Sequence, residues 1–438
     1  MRQRSSRRWS AALVLLLLVT GMGFVILGVS SLWGGGGVAF IQSTPTLTPL
    51  PTPPAPTATE PILPPPPTLS PTPTSPPPTT TRSLTPSPVN ETATPDVLSP
   101  SPSASPTLTH TPTLTALPSP STVPSPSPAA SQKSLYSLRQ RLGVGTGTLS
   151  ITQGLPRRLG FGWYLDWTVR PDGFSLAEVE YMPMIRLHEG GAAPGGQALS
   201  AAVDALPGAV WLIGNEPDVK WQGNVPPDTY AQAYHNLYTL LKARDPTCQV
   251  AIGGVSQPTP LRLRYLDLIM EAYQAHYGEP MPVDVWNVHN FILREERDSW
   301  GVDIPPGMTE RTGRLREIAD HDDMSIFRQQ ILDFRRWMKE RGQQDKPLIV
   351  TEYGILMPTD YGFPPSHVER FMLDTFEFFR TAADPALGYP ADGYRLVQRW
   401  CWFSLADDRY PTGNLLQPDG LGFTPLGEAF SRYAHTAP

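Results

Sequence analysis

The sequence predicts an α/β fold, an eight-stranded (β/α)8 TIM barrel, for residues 133–438. In this part of the chain, short apolar runs alternate with segments of helical periodicity, which is the pattern of repeated βα units around a parallel sheet. There are eight such runs, the number that a closed parallel barrel needs. No G-x-G-x-x-G follows the first run and no GxxxxGKS/T occurs, which disfavours the nucleotide-binding α/β folds.

The predicted strands are short and rich in apolar residues. In chain order they are Arg141–Thr146, Leu159–Leu165, Tyr181–Leu187, Ala209–Asn215, Gln249–Val255, Val283–His289, Pro347–Thr351 and Val397–Phe403. The stretch up to Leu159 is rich in Gly and Thr, so a hairpin that closes the barrel floor is the alternative to the first strand.

Helices are predicted between most of these runs from apolar stripes at helical spacing. One stripe consists of Tyr230, Tyr234, Leu237 and Leu241. A second, ended by Gly342, consists of Ile326, Phe327, Ile331, Phe334, Trp337 and Met338.

The N-terminus predicts a membrane anchor. Residues 11–33 carry no charge and are long enough as a helix to cross a bilayer core of about 30 Å. Residues 1–10 carry the basic side chains Arg2, Arg4, Arg7 and Arg8, and the first charge after the span is Glu60. The positive-inside rule therefore places residues 1–10 in the cytoplasm and the rest of the chain outside the cell. The alternative is a signal peptide cleaved near Gly34–Ala39, which would make the protein secreted.

Residues 34–132 are predicted to be a disordered stalk, because they are dominated by Pro, Thr and Ser and cannot bury a core. Dense proline favours an extended, semi-rigid chain. The net charge of the whole chain is −6, which disfavours a nucleic-acid partner. The two cysteines, Cys248 and Cys401, are expected as free thiols on different strands.

Two carboxylates are the strongest candidates for a functional site. Glu216 closes the fourth run, in WLIGNEP, and Glu352 closes the seventh, in PLIVTEYG. A buried strand of a barrel delivers its last residue to the open face where active sites lie, and a carboxylate there is costly unless it takes part in chemistry. The alternative is that each is an ordinary acid at the end of a strand.

Aromatic residues near predicted strand ends are candidates for sugar platforms, and at least two are expected to line a cleft: Trp163, Tyr164, Trp167, Trp221 and Trp402. The connection from Asn290 to Asp323 is longer than usual and predicts either a cleft-shaping loop or a disordered insertion.

These motifs resemble the clan A retaining glycoside hydrolases, and the broad "glycosyl hydrolase catalytic core" members in particular. The resemblance covers roughly Leu142 to Phe430. Asn215-Glu216-Pro217 is similar to the acid/base motif after the fourth strand, and Thr351-Glu352-Tyr353-Gly354 to the nucleophile motif after the seventh.

The resemblance also implies roles for further residues. His289 stands at the clan's histidine position after strand six, followed by Asn290 where an aromatic residue is common. Asn215 would donate to the hydroxyl next to the anomeric carbon, and Trp402 would lie under the reactive sugar. Tyr353, His289 or Arg186 would supply donors to the nucleophile, and Trp163 is the further candidate for substrate binding.

The resulting prediction is a membrane-tethered glycosidase that hydrolyses O-glycosidic bonds of a β-linked polysaccharide outside the cell. It implies a retaining double displacement, a monomer, and neither cofactor nor metal. A non-catalytic glycan-binding module on a stalk is the alternative. A metal-dependent barrel hydrolase is disfavoured because His188, His235 and His289 are isolated, with neither HxH nor HExxH.

Overall fold

The computed structural model describes residues 134–171, 179–188 and 191–437. The predicted cytoplasmic tail, the membrane span at 11–33 and the stalk at 34–132 lie outside these ranges. Among the described helices, none combines the length and the apolar character that crossing a bilayer demands.

The strands form two sheets that are parallel apart from one hairpin. The strands are β1 (Leu142–Gly145), β2 (Trp163–Leu165), β3 (Glu180–Tyr181), β4 (Met184–His188), β5 (Gly191–Ala193), β6 (Val210–Asn215), β7 (Gln249–Gly254), β8 (Trp286–His289), β9 (Leu348–Tyr353) and β10 (Arg399–Trp402). The larger sheet has the order β3-β2-β1-β10-β9-β8, and the smaller one β5-β4-β6-β7. Only β5 is antiparallel to its neighbour, β4.

The two sheets close into a barrel at two seams. At one seam, β3 and β4 are consecutive, with only Met182 and Pro183 between them. At the other, isolated parallel bridges join Ala251 to Val285 and Val255 to Val288, and so connect β7 to β8. The α/β prediction is confirmed, and each of the eight predicted runs contains a parallel strand. The first run forms the barrel strand β1, paired with β2 and β10, and not a hairpin.

The helices follow the strands on the outside of this barrel. They are α1 (Leu138–Arg141), α2 (Leu155–Leu159), α3 (Gly196–Ala205), α4 (Pro227–Arg244), α5 (Pro260–Tyr277), α6 (Met324–Glu340), α7 (Pro365–Thr381) and α8 (Pro425–Thr436). The two predicted apolar stripes lie on α4 and α6, and most of their members are buried. Between β2 and β3, the described residues contain no helix.

Side chains on opposite faces of the strands fill two layers. The barrel interior holds Trp163, Leu165, Met182, Met184, Val210, Leu212, Ala251, Val285, Ile349 and Cys401. The larger layer lies between strands and helices and includes Trp211, Trp286, Trp400 and Trp402. Cys248 and Cys401 are both buried and free, as predicted.

The long connection from 290 to 323 is packed against the barrel. Its residues Val302, Ile304 and Met308 are buried, and an isolated bridge joins Glu296 to Thr312. It also reaches the loop after β6, where Lys220 Nζ lies 3.4 Å from Asp298 and 3.6 Å from Asp303. The alternative of a disordered insertion is therefore wrong.

Candidate active site

Glu216 leaves the end of β6 in an unusual backbone conformation. Gly214 has φ +89°, which favours glycine, and Glu216 itself has φ +39°. The Glu216 amide donates to the Gly254 carbonyl at 3.0 Å, so the neighbouring strand β7 fixes the turn. A non-glycine residue in this region of φ is typical of functional sites, where the surrounding structure holds it in place.

Glu352 faces the barrel axis because β9 contains one extra residue. Val288 and His289 of β8 pair with Val350 and Glu352, so Thr351 is the additional residue of a β-bulge. Thr351 donates its hydroxyl to Asn287 at 2.8 Å inside the barrel. The bulge thus turns two consecutive residues inward, where simple alternation would turn only one.

His289 bridges the two carboxylates. Its Nδ1 lies 3.0 Å from Oε1 of Glu216, and its Nε2 lies 3.4 Å from Oε1 of Glu352. One ligand atom from each of the three residues lies within 4.8 Å of the others. Gly254 leaves room for the imidazole, since a Cβ there would come within 2.5 Å of the ring.

Burial and mutual charge shift the pKa values of this group. Burial raises the pKa of Glu352 to about 7, and the negative charge of Glu216 adds to this, while His289, the Trp167 N–H and Arg186 oppose it. Burial alone would lower the pKa of His289, but the charges of Glu352 and Glu216 outweigh it, so that the pKa is raised. Burial lowers the pKa of Arg186 even though both carboxylates favour its charged form.

Aromatic side chains border the carboxylates. The indole N–H of Trp167 donates to Oε1 of Glu352 at 2.5 Å, and its half-buried ring meets Phe403 edge to face at 5.6 Å. Phe403 in turn contacts Tyr410, with ring centroids 6.2 Å apart. Burial, Asp407 and then Glu216 raise the pKa of Tyr410 to about 12.

A buried ion cluster lies behind Glu216. Arg262 of α5 contacts Asp218 at 2.6 Å and also pairs with Glu295 of the long connection, and all three side chains are fully buried. The same guanidinium donates to the carbonyls of Val302 and Asp303, each at 3.1 Å. Because Asp218 follows Glu216 by two residues, the cluster joins the loop of Glu216 to the long connection.

The donor set Glu216, His289 and Glu352 has the spacing of a three-residue metal site. However, the Trp167 N–H already donates to Glu352, and the charge of Arg186 acts on both carboxylates that a metal ion would need. The arrangement therefore fits a hydrogen-bonded carboxylate pair better than a metal centre.

The comparisons with known proteins agree with this chemistry. Residues 150–299, about a third of the chain, match the family model described as "Glycosyl hydrolase catalytic core". Over these residues the chain is similar to glycosyl hydrolase catalytic cores. The prediction of a glycoside hydrolase is confirmed by this match, which includes Glu216 and His289.

Solved structures with a similar chain path include three glucanases. A GH128 (subgroup II) endo-beta-1,3-glucanase from Sorangium cellulosum is 20% identical, with a TM-score of 0.46, and covers 68% of this chain and 98% of its own. A subgroup I enzyme from Amycolatopsis mediterranei is 19% identical, with a TM-score of 0.46, covering 67% and 98%. A subgroup III exo-beta-1,3-glucanase from Blastomyces gilchristii is 18% identical, with a TM-score of 0.43, covering 66% and 97%. A comparison with curated proteins finds no match.

Four further predicted residues lie at the mouth of the barrel with Glu352. Glu216, Asn215, His289 and Arg186 stand at or near the ends of β6, β8 and β4. Asn215 is buried, and its Oδ1 makes no hydrogen bond to any described residue. Arg186 donates to Gln222 at 3.1 Å, on the loop that follows Glu216.

Three predicted substrate-binding residues do not reach the cleft. Trp163 is fully buried inside the barrel, and its indole donates to the Arg141 carbonyl at the start of β1, on the floor. Tyr353 and Trp402 are also fully buried and pack edge to face at 5.4 Å in the layer between strands and helices. Because none of them exposes surface to a sugar, these three assignments are corrected.

Trp167, Phe403 and Gln222 are the site residues that were not assigned from the sequence. Trp167 follows β2 and was recognised only as one of several candidate platforms. Phe403 follows β10 directly, one position after Trp402. For Phe403 the signal is the alternation of side chains along β10, which turns Cys401 inward and Trp402 outward.

Proposed function

We propose that the chain is a retaining glycosidase that cleaves a β-linked polysaccharide outside the cell. The observation that carries the proposal is the pair Glu216 and Glu352, which come from strands on opposite sides of the barrel and meet within 4.8 Å at His289. Retaining enzymes hold their two carboxyl groups about 5–5.5 Å apart, whereas inverting enzymes need about 6.5–9.5 Å to admit a water.

Glu352 is the nucleophile in this proposal. It accepts the Trp167 N–H, lies beside His289 Nε2 and is favoured in its ionised form by Arg186. In the first step a Glu352 oxygen bonds to the anomeric carbon while the bond to the leaving oxygen breaks. Glu216 transfers its proton to that oxygen and becomes a carboxylate.

Glu216 then acts as the base. It takes a proton from a water molecule whose oxygen attacks the anomeric carbon, and the bond between that carbon and Glu352 breaks. The sugar is released with its original configuration, and Glu216 again carries its proton. Asn215, adjacent to Glu216, is placed to hydrogen-bond the sugar hydroxyl next to the reacting carbon.

A single proton shared by the pair defines the active state. The pKa of Glu352 is raised to about 7 partly by the charge of Glu216. When Glu216 is protonated this contribution disappears, and Glu352 ionises more readily. Because two adjacent ionised carboxylates repel each other, the pair favours holding one proton, and the proposed mechanism requires that proton on Glu216 when the first step begins.

The proposal includes attachment to the membrane through residues 11–33, with the stalk of residues 34–132 carrying a monomeric catalytic domain away from the surface. The support is the uncharged span, the basic side chains before it and the proline-rich composition after it. Cleavage of the N-terminal segment would give a secreted enzyme with the same chemistry.

The experiment replaces each carboxylate by alanine and adds azide to the purified protein. A panel of β-linked polysaccharides identifies the substrate, and aryl glycosides of the released sugar serve for rescue. Glu216→Ala should regain turnover with azide and give a product of retained configuration, whereas any azide product of Glu352→Ala should be inverted. Each change should lower kcat/KM on the polysaccharide by several powers of ten.

Glu271→Ala is the matched control, because Glu271 is exposed and pairs with Arg264 on the surface. Exchanged configurations would reverse the two roles. Hydrolysis that persists in both mutants would place the active site elsewhere. Binding of oligosaccharide without hydrolysis by the unmutated protein would favour the glycan-binding alternative, and activity lost to a chelator and restored by a divalent metal would favour a metal-dependent hydrolase.

A further inference from the structure

Oε1 of Glu352 is the oxygen that accepts the hydrogen bond from Trp167 and lies nearest to His289. Trp167 Nε1 lies 2.5 Å from this atom, and His289 Nε2 lies 3.4 Å from it. Among the described residues, no donor contacts Oε2. The environment of the carboxylate therefore distinguishes one held oxygen from one free oxygen.

Trp167 and His289 differ as neighbours of this oxygen. An indole N–H is a donor only and does not titrate, whereas a histidine nitrogen donates only when it carries a proton. His289 makes its hydrogen bond to Glu216 through Nδ1, and its Nε2 makes none to any described residue. Trp167 therefore supplies the hydrogen bond to Glu352 that stays constant as the site gains and loses protons.

The indole of Trp167 lies over a glycine that leaves room for it and is flanked by hydrogen-bonded loop residues. Beneath it, Gly145 of β1 has no side chain, and a Cβ there would come within 2.6 Å of the indole Cη2. Beside it, the Tyr181 hydroxyl lies 2.8 Å from Asp166 Oδ1 and 2.7 Å from the Thr168 carbonyl oxygen, so it contacts the residues on both sides of Trp167. Trp167 itself has φ +55°, so the loop holds it in a backbone conformation that few residues adopt.

We propose that Trp167 is the positioning residue of the nucleophile: its indole N–H holds Oε1 of Glu352 and leaves Oε2 to attack the anomeric carbon. This inference rests on the proposed function. It assigns to a residue after β2 the hydrogen bond that the sequence had assigned to Tyr353, His289 or Arg186.

Trp167→Phe tests the inference, because it keeps an aromatic ring and removes the N–H. In the full-length chain, solubilised in detergent and labelled with ¹³C at the glutamate side-chain carboxyl, the signal of Glu352 is identified by its loss in Glu352→Gln. The pKa that this signal reports should rise by roughly one unit in Trp167→Phe, because a charge-assisted hydrogen bond to the ionised form has been removed.

The same shift should appear in the kinetics once a substrate is known. The acidic limb of kcat/KM should move up by roughly one pH unit, so activity falls about tenfold below the limb and recovers as the pH is raised. A residue that only supported the fold would lower activity at every pH. Gly145→Ala provides a second variant, because it displaces the indole without removing it and should move the limb in the same direction.

Trp337→Phe is the matched control. Its indole N–H also donates to a carboxylate, Asp267 at 3.0 Å, but on α6 and outside the site. The inference is overturned if the titration of Glu352 is the same in Trp167→Phe as in the unmutated chain, or if Trp337→Phe moves it equally. If Glu352→Gln retains full hydrolysis, the proposed function fails instead, whatever Trp167→Phe shows.

Discussion

Replacing Arg262 by methionine should destabilise the folded catalytic domain by about 3–5 kcal/mol, the usual cost of removing one partner from a buried ion pair. Arg262, Asp218 and Glu295 are all fully buried, so solvent cannot compensate the two carboxylates that would remain. Methionine keeps most of the length and apolar volume of the side chain, so the loss of charge dominates over the loss of packing.

The loss should grow with pH. Burial already raises the pKa of Asp218, and the charge of Arg262 opposes that rise. In Arg262→Met the pKa of Asp218 in the folded state rises further. The folded state then holds a proton on Asp218 that the unfolded state loses near pH 4. Above that pH the folded state becomes progressively less favourable, and the deficit should be larger at pH 8 than at pH 5.

Thermal unfolding followed by circular dichroism checks both points. The midpoint should fall by roughly 5–12 °C at pH 8 and by less at pH 5. Arg244→Met is the control, since Arg244 forms an exposed pair with Asp204 and its replacement should change the midpoint little. Adding Asp218→Asn and Glu295→Gln to Arg262→Met should restore part of the stability. A midpoint that does not change, or a deficit independent of pH, would refute this reasoning.

Two further predictions concern the pH dependence and the N-terminal segments. His289→Gln removes a positive charge that lowers the pKa of Glu352, so the acidic limb of kcat/KM should move above about pH 7; a limb that stays in place would show that His289 is neutral in the working enzyme. Deleting residues 1–132 should leave turnover of a small soluble substrate unchanged while releasing the protein from membrane fractions. A large loss of turnover in a folded deletion variant would mean that the domain begins earlier, and a full-length chain that is already soluble would argue against the anchor.

The fold could be predicted from the sequence because parallel barrel strands are buried on both faces and appear as short apolar runs. All eight runs became strands, even the Gly-rich run at Leu142–Gly145. The helices α4 and α6 could be predicted because one apolar stripe faces the barrel in each. The packing of the long connection could not be predicted, because it depends on Arg262 of α5 binding Glu295, a contact between residues that are 33 positions apart.

The structure brings a predicted residue to the candidate site where its position at a strand end decided its location, and places it elsewhere where the face of the strand decided it. Glu216 and His289 needed only to stand at the ends of β6 and β8. Tyr353 and Trp402 stand at strand ends too, but the extra residue in β9 turns Glu352 inward and Tyr353 outward. A bulge has no local sequence signature here, so the inward face could not be counted along the strand.

The cluster around Arg262 also constrains how the cleft could be re-engineered. The connection from 290 to 323 would be the natural segment to exchange in order to change specificity. Its Glu295, however, pairs with Arg262 of α5, which also pairs with Asp218. A transplanted loop without a matching carboxylate would leave the charge of Arg262 only partly balanced and would loosen the turn that carries Glu216. The long connection and the turn that carries Glu216 are therefore structurally coupled, and a chimera would have to exchange the connection and α5 as one unit.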